Sequence, residues 1–291
     1  MTKPEVKNFP TEYFGYPYTL SQQKKVKDAI ANQYCHYLAG TCFKFRKSQP
    51  EVKIGVCSLG YTCNFLPDPE PVIMCPFRFR EKEVFSKIER ECYPDSPGNI
   101  EFKWVPEVSM GVGGSVDYVL CKFKKDGDLK TLVDFKCIEF QSAGTTGTPW
   151  DALVDLKKYG KYRKEKYKFG VNWANEFSKT MMQQAYKKGL IVESWNKDII
   201  FAVQDVCLKY LTKHCDTSGL TDYNKTYPIH FFSFKMVWSD TLNRWTLVFD
   251  KKISSKTEGI RRILSGSSTE FYPTMEQFKK NIVRKMNASK N

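Results

Sequence analysis

The sequence predicts an α/β fold, because segments with helical periodicity are interspersed with segments in which apolar and polar residues alternate as they do in strands. Residues 76–92 fit a helix that begins at Pro76 and buries Phe79, Val84 and Ile88. Residues 115–141 fit two neighbouring strands joined by a Lys-Lys-Asp-Gly-Asp turn. An apolar content of 41% is typical of a globular protein with a substantial core, so we expect a folded α/β domain.

The remaining elements are predicted in chain order from the same periodicities. They are a short helix at 18–32, an extended segment at 102–108, a glycine turn at 111–114, a helix at 151–162, a helix at 171–190 that Gly189 closes, strand-like segments at 199–210, 228–240 and 244–254, and a basic helix at 274–287. Between Tyr34 and Cys75 the periodicity is weak and five cysteines occur, which favours a small module in which a metal replaces a core. We therefore predict an N-terminal segment over residues 1–76 and a larger domain over residues 77–291.

Two carboxylates in the predicted pair of strands could bind one metal ion. Asp117 lies in the first strand, and Glu139 and Gln141 lie near the end of the second. Side chains two residues apart share one face of a strand, so neighbouring strands can bring Asp117 and Glu139 together. Such a pair can hold magnesium, which polarises a phosphate and activates water. The sequence therefore predicts magnesium-dependent hydrolysis of a phosphate backbone.

A second acidic-x-lysine triplet in the same strand offers an alternative centre. Asp134 and Lys136 alternate onto the face opposite Glu139 and Gln141, so both sets could line one cleft only if a bulge intervened. Most magnesium nucleases of this type carry lysine where this chain has Gln141, and an amide can orient water but cannot accept its proton. On the pattern alone the two sets are equally favoured, and both could instead be polar positions on a half-exposed sheet.

The charge of the chain favours a polyanionic partner. The formal net charge is +14 at pH 7, and each lysine or arginine placed on a phosphate releases counterions, as in nucleic-acid binding. The first residues lack the apolar stretch of a signal peptide, and no apolar run is long enough to cross a bilayer. We therefore expect a cytoplasmic protein with no membrane partner, in which the ten cysteines are thiols or metal ligands rather than disulfides.

Five cysteines make up the predicted metal module. They are Cys35, Cys42, Cys57, Cys63 and Cys75. Four thiolates suit a tetrahedral structural zinc or iron, and such a closed site leaves no open position for catalysis. One cysteine is then in excess, and His36 is an alternative ligand. Buried free thiols are the alternative to a metal site.

Taken together, several segments resemble the NotI-type restriction endonucleases, including the EagI relatives. They are EYFGYPY at 12–18, the cysteine segments at 35–44, 55–58 and 73–78, SVDYVL at 115–120, IEFQ at 138–141 and VNWAN at 171–175. The resemblance implies a PD-(D/E)xK restriction-endonuclease core, a mixed sheet flanked by helices, in residues 77–291. It implies a four-cysteine module holding one iron or zinc in residues 1–76. It also implies a homodimer from a prokaryotic cell that cuts double-stranded DNA with magnesium, and a cognate DNA methyltransferase.

The resemblance also assigns roles to residues. It puts the catalytic acid at Asp117 and the Glu-x-Gln pair at Glu139 and Gln141, which displaces the alternative at Asp134 and Lys136. It puts the iron or zinc ligands at Cys35, Cys42, Cys57 and Cys75, and Cys63 is then the cysteine that is not a ligand. Glu107, ten residues before Asp117, could help hold a second magnesium ion or be a solvated carboxylate at a strand edge.

DNA contacts are predicted in two places. The loop after the second strand contains Thr145, Thr146 and Thr148, and its glycines would let backbone N–H groups approach a phosphate. The other three residues, Asn172, Asn175 and Lys179, lie on or near the helix predicted at 171–190, whose polar side could meet DNA. An ordinary tight turn and a solvated helix face are the respective alternatives.

The function expected from these observations is that of a type II restriction endonuclease. It would hydrolyse phosphodiester bonds of double-stranded DNA at a specific palindromic site and leave 5′-phosphates. The alternatives are a noncatalytic zinc-containing DNA-binding protein, whose cysteine module is the working part, and a structure-specific repair nuclease.

Overall fold

The computed structural model describes residues 7–46, 49–127, 129–265 and 274–288. The N-terminal part consists mainly of short strands. Its elements are β1 (Pro10–Tyr13), β2 (Tyr16–Pro17), α1 (Lys24–Ala31), β3 (Tyr34–Cys35), β4 (Gly40–Thr41), β5 (Phe45–Arg46), β6 (Gln49–Lys53), β7 (Val56–Cys63) and β8 (Leu66–Ile73). Single 3-10 turns occur at Tyr18–Leu20, Pro76–Phe79 and Gly111–Gly113.

Longer helices and strands follow. They are α2 (Lys82–Cys92), β9 (Ile100–Ser109), β10 (Ser115–Asp126), β11 (Leu129–Gln141), β12 (Thr145–Thr146), α3 (Trp150–Tyr159), β13 (Gly170–Val171), α4 (Met182–Ser194), β14 (Ile199–Gln204), α5 (Asp205–His214), β15 (Leu220–Asp222), β16 (Ile229–Ser239), β17 (Arg244–Ser255), α6 (Thr257–Ser265) and α7 (Met275–Ala288). A π-helical segment, Ala174–Met181, leads directly into α4.

The centre of the described structure is a seven-stranded mixed sheet in the order β15-β17-β16-β14-β11-β10-β9. Strands β9, β10 and β11 form an antiparallel meander, whereas β11, β14 and β16 run parallel to one another. The connection from β11 to the parallel strand β14 contains α3 and α4, as a parallel crossover requires. The predicted α/β class, with a mixed sheet flanked by helices, is confirmed.

The two faces of this sheet are covered by different helices. On one face, α2 buries Val84 and Ile88 against Leu120 and Ile138. On the other face, Ala185 of α4 is buried in the cluster that contains alternate residues of β14. Strand β14 therefore has both faces covered, which explains its continuous apolar sequence.

A second sheet, in the order β2-β1-β7-β8, forms the N-terminal part and is tied to the large sheet by a buried ion network. Arg78 is fully buried, and its Nε donates to Glu12 Oε2 of β1 at 2.8 Å. Its Nη1 donates to Glu81 Oε1 at 2.5 Å and its Nη2 to the carbonyl of Trp245 in β17 at 2.9 Å. Because Arg78 has a partner on each side, the network fixes the position of β1 relative to β17. The domain boundary between residues 76 and 77 stays a prediction.

Four predicted helices or strands differ from the observed ones. The helix predicted at 18–32 is divided into a 3-10 turn at Tyr18–Leu20 and α1. The segment at 199–210 is not a strand throughout, because β14 ends at Gln204 and α5 begins at Asp205. Gly189 does not end a helix: α4 continues to Ser194, and a Cβ on Gly189 would lie 2.5 Å from Ile229 Cδ1. This glycine serves close packing of α4 on β16 rather than helix termination. The predicted helix at 76–92 is divided into a 3-10 turn and α2.

Within the described ranges, no helix is both long and apolar enough to cross a membrane.

Candidate active site

The register of the meander aligns three carboxylates on neighbouring strands. Tyr118 pairs with Ile138 in β11 and with Pro106 in β9, so the preceding residue, Asp117, lies opposite Glu139 on one side and Glu107 on the other. Residues directly opposite one another on neighbouring strands have Cβ atoms about 5 Å apart and share a face. Asp117 and Glu139 are therefore neighbours, and together with Glu107 they are called here the acid row. Within the part of the chain that the structure describes, no three His, Cys, Asp or Glu side chains are grouped so that they could hold a metal ion, and this includes the three acids of the row.

Hydrogen bonding holds Asp117 against β11. Its Oδ2 accepts the backbone N–H of Phe140 at 2.8 Å, which takes the place of a ladder bond at this point. Burial raises the pKa of Asp117, and the negative charge of Glu107 adds to this effect, whereas the Phe140 N–H, Lys188 and Arg80 oppose it. Asp117 is thus a partly buried acid among both acidic and basic neighbours.

Glu139 is the most buried of the three acids, with 6% of its surface exposed. Its Oε1 accepts a hydrogen bond from Lys188 Nζ at 2.5 Å. Burial, followed by repulsion from Asp117, raises the pKa of Glu139 to about 7, although Lys188 and the Asp117 backbone N–H act in the opposite direction. The Asp117 carboxylate thus adds to the rise in the pKa of Glu139, and a bound cation would offset the negative charge of this pair.

Lys188 is a component of the site that the sequence interpretation missed. It lies on α4 with only 4% of its surface exposed, and its Nζ also donates to the carbonyl oxygen of Ser115 at 2.8 Å. A signal was present in the sequence: Met182, Ala185 and Val192 mark the buried stripe of the helix, and Lys188 occupies a position on that stripe. A lysine in a buried helical stripe requires a partner, and here the partner is Glu139.

A small cavity of ≈ 70 Å³ lies beside Asp117 and contains a second cation that the sequence interpretation missed. It is lined by Pro76, Phe77, Arg80, Glu107, Asp117, Tyr118 and Phe140. The Arg80 guanidinium stacks over the Phe77 ring at 4.2 Å and faces Tyr118 at 5.5 Å. Glu107 reaches this cavity from a backbone position with φ +52°, an unusual conformation for a residue other than glycine. Acidic and basic groups thus converge on one concave surface at the edge of the meander.

Gln141 and the alternative triplet have other contacts. Gln141 is two residues beyond Glu139 in β11, and its Nε2 donates to the carbonyl of Ser142 at 3.0 Å. Asp134 pairs with Lys197 at 2.6 Å, and Lys136 pairs with Asp198 at 2.8 Å. The triplet therefore takes part in ion pairs with the segment between α4 and β14, on the face opposite Glu139, as strand alternation predicts.

The two segments predicted to contact DNA lie next to each other. Thr145 pairs with Val171 across the β12–β13 ladder, and the N–H of Asn172 donates to the carbonyl of Gly144 at 2.8 Å. The Asn175 amide donates to Glu176 at 3.4 Å. The side chains of Thr146, Thr148, Asn175 and Lys179 are exposed, and those of Thr145 and Asn172 are partly buried. The segment with Thr145, Thr146 and Thr148 follows β11, and the segment with Asn172, Asn175 and Lys179 leads into α4. Both segments therefore border the acid row.

The four predicted ligand cysteines are all buried. Burial raises the pKa values of Cys35, Cys57 and Cys75, and in each case a neighbouring cysteine of the quartet adds to the rise. The four thiols are therefore near one another. Even so, among the described residues no three His, Cys, Asp or Glu side chains are grouped so that they could hold a metal ion. This arrangement does not form a ready ligand set, and the iron or zinc site stays a prediction.

The acid row has the oxygen ligands that magnesium prefers. Magnesium is usually held by one or two protein carboxylates, with water and substrate phosphate completing its six ligands, so a three-residue protein cage is not required. Asp117 and Glu139 provide this number, and a bound cation would offset the Asp117 charge that raises the pKa of Glu139. Searches against protein-family models and against curated proteins found no match for this sequence.

Proposed function

We propose that this protein is a type II restriction endonuclease that hydrolyses phosphodiester bonds in double-stranded DNA with magnesium and leaves 5′-phosphates. The observation that carries the proposal is the placement of Asp117 directly opposite Glu139, with the Asp117 carboxylate bound to the Phe140 N–H at 2.8 Å. The net charge of +14 supports a polyanionic substrate.

The architecture of the sheet also supports a nuclease core. Helices lie on both faces of a large mixed sheet, in which the β9–β10–β11 meander is followed by β14 parallel to β11. A mixed sheet flanked by helices is what the resemblance to PD-(D/E)xK nucleases implies. Fold alone does not establish activity, so the weight of the proposal rests on the acids.

Each group in the site has a proposed role. Asp117 and Glu139 would hold the magnesium ion, with Glu107 available for a second. Bound magnesium supplies charge to the scissile phosphate and a more acidic water. Gln141, on the same face of β11 as Glu139, would orient the attacking water.

The two basic groups would act beside the carboxylates. Lys188 keeps the Glu139 carboxylate in place and brings to the site the positive charge that a Glu-x-Lys motif would otherwise contain. Arg80, in the cavity beside Asp117, would contact a nonbridging phosphate oxygen.

Cutting both strands requires two such sites. We therefore propose a homodimer on a palindromic sequence, because a two-fold axis then relates the two cleavage positions. A cognate methyltransferase would protect the host DNA.

The direct test is incubation of plasmid DNA with the purified protein and magnesium. The expected result is a set of discrete, reproducible fragments with 5′-phosphate ends, which Asp117→Asn abolishes. A smear would favour a structure-specific or nonspecific nuclease over a restriction enzyme. Intact plasmid that the protein nevertheless binds would support a noncatalytic DNA-binding protein.

The iron or zinc site is a separate part of the proposal. Metal analysis of the purified protein should give about one zinc or iron per chain, and Cys42→Ser should remove the metal and lower the melting temperature. Cys63→Ser is the matched control, because Cys63 belongs to the same segment but is the cysteine in excess. A parent protein without bound metal would refute this part and leave the nuclease proposal intact.

A further inference from the structure

Residues 157–168 form the most concentrated group of positive charge in the described chain. Seven of these twelve residues are lysine or arginine, and one, Glu165, is acidic. The seven are Lys157, Lys158, Lys161, Arg163, Lys164, Lys166 and Lys168, and all of them are exposed. The segment comprises the last turn of α3 and the loop that leads to β13, and it is called here the basic loop.

Among the described residues, these cations form no ion pair with an acidic group. None of the ion pairs between described residues involves any of the seven. Their contacts are with rings instead: Arg163 lies over Tyr159 at 4.5 Å and Lys164 over Tyr167 at 5.6 Å. Like charges concentrated in this way repel one another and disfavour the compact state.

The backbone of the basic loop is nevertheless firmly held. The buried Tyr167 hydroxyl accepts the N–H groups of Arg163 at 3.0 Å and Lys164 at 3.4 Å, and it donates to Asp155 at 2.7 Å. The Tyr162 hydroxyl donates to the carbonyl of Pro10 at 2.7 Å. The side chains of Tyr162 and Tyr167 thus turn inward and fix the loop, while the lysine and arginine side chains remain outside. A charged loop whose only role was to keep the protein soluble would not require these hydrogen bonds.

The surface beside the loop is concave. A cavity of ≈ 290 Å³ is lined by the rings of Phe9, Tyr18 and Tyr162, by the cations Lys7, Lys161, Arg163 and Lys164, and by one acid, Glu165. A second, of ≈ 340 Å³, is lined in part by Asn8, Thr62 and Lys166. Cations around an aromatic floor suit a chain of phosphates with sugars between them, since ring edges and hydroxyls pack against sugar while cations meet phosphate.

The position of the loop relates it to the candidate active site. It begins at the end of α3 and ends at β13, which pairs with β12, the first strand after the acid row of β11. The β12–β13 ladder thus connects the basic loop to the segment that follows the acid row.

We propose that the basic loop binds the sugar-phosphate backbone of double-stranded DNA and contributes affinity without sequence preference. The proposal deepens the nuclease function and rests on it for the choice of DNA as the polyanion. The loop is expected to position the duplex rather than to take part in hydrolysis.

The test is DNA binding in EDTA, measured by fluorescence anisotropy over a series of salt concentrations. The triple variant Lys161→Ala, Lys164→Ala, Lys166→Ala should weaken binding at least 10-fold near 0.1 M salt. The slope of log affinity against log salt should become less steep by about 0.9 for each phosphate that the variant no longer neutralises. The weakening should be equal for unrelated duplex sequences. A charge-matched control, Lys213→Ala, Lys225→Ala, Lys256→Ala, removes three exposed lysines from separate surface positions and should change binding less than 3-fold.

Equal affinities and equal salt slopes for the parent and the loop variant would overturn the proposal. A second result would also overturn the proposal: the parent binds anionic phosphatidylserine vesicles, the loop variant does not, and both bind DNA equally well. The proposal can fail separately from the nuclease function. If the parent cuts DNA but its DNA binding does not depend on the basic loop, only the loop proposal is refuted. If DNA binding by the parent depends on the loop but the parent never cuts DNA with magnesium, only the nuclease proposal is refuted.

Discussion

At the residue scale, ionisation of Glu139 is costly because its side chain is buried and lies near the Asp117 carboxylate. Burial and the Asp117 carboxylate raise its pKa from 4.5 to about 7. The folded protein therefore holds the Glu139 proton more tightly than the unfolded chain does. The stability that this proton contributes is fully present below pH 4.5 and is lost as the pH rises from 4.5 through 7.

A pH prediction follows for the protein in EDTA. The free energy of unfolding of the parent, relative to Glu139→Gln, should fall by about 3 kcal/mol between about pH 4.5 and pH 8, since one pKa unit corresponds to about 1.4 kcal/mol. Urea unfolding of both proteins across this range measures the difference. Parallel pH profiles would show that Glu139 does not carry the raised pKa.

Lys188 is expected to matter for the rate of cleavage. Lys188→Met keeps a long side chain on α4 but removes the charge that contacts Glu139 and the Ser115 carbonyl. We predict a decrease of about 100-fold in the single-turnover cleavage rate at saturating magnesium, the size found when one preorganised electrostatic contact is removed from an active site. The exposed neighbour Lys187→Met is the control and should cut at the parent rate. Equal rates for the parent and Lys188→Met would rule out a role for this lysine.

At the scale of elements, the Glu12–Arg78–Glu81 network links the N-terminal sheet to the large one. Arg78→Met would leave two buried carboxylates without their cation, and removal of one partner from a buried ion pair costs about 3–5 kcal/mol. The free energy of unfolding in urea at pH 7 should fall by this amount. Arg261→Ala, which breaks an exposed pair with Glu258 on α6, should have little effect. Comparable decreases in the two variants would mean that the network does not join the sheets.

The elements also show what sequence reasoning could and could not reach. The hairpin of β10 and β11 is predictable because alternation and a glycine turn fix the faces of Asp117 and Glu139 locally. The contact of Lys188 with Glu139 depends on how α4 crosses the sheet, which no local spacing specifies. From the sequence, Gly189 is predicted to end a helix, whereas in the structure it allows Ile229 to pack closely against α4. The change from β14 to α5 falls at Gln204 and Asp205, two polar residues in an otherwise largely apolar stretch, and the predicted strand continues across them.

At the scale of the whole molecule, charge and fold are arranged around the end of the meander. The acid row lies where β9, β10 and β11 meet, and the segments predicted to contact DNA border it. The basic loop continues from the β12–β13 ladder. In a protein of strongly positive charge, the end of the meander thus holds the buried Glu139, the partly buried Asp117 and the exposed Glu107. Such a group of acids is expected where a divalent cation meets a phosphate chain.

Divalent-cation affinity tests the central claim most directly, because it does not depend on knowing the DNA sequence that is cut. Mn²⁺ accepts the same oxygen ligands as magnesium and can be followed by electron paramagnetic resonance. The parent should bind Mn²⁺, Asp117→Asn and Glu139→Gln should each weaken binding at least 10-fold, and Asp134→Asn, in the alternative triplet, should bind as the parent does. Undiminished Mn²⁺ affinity in both Asp117→Asn and Glu139→Gln would contradict a cation site between these two acids.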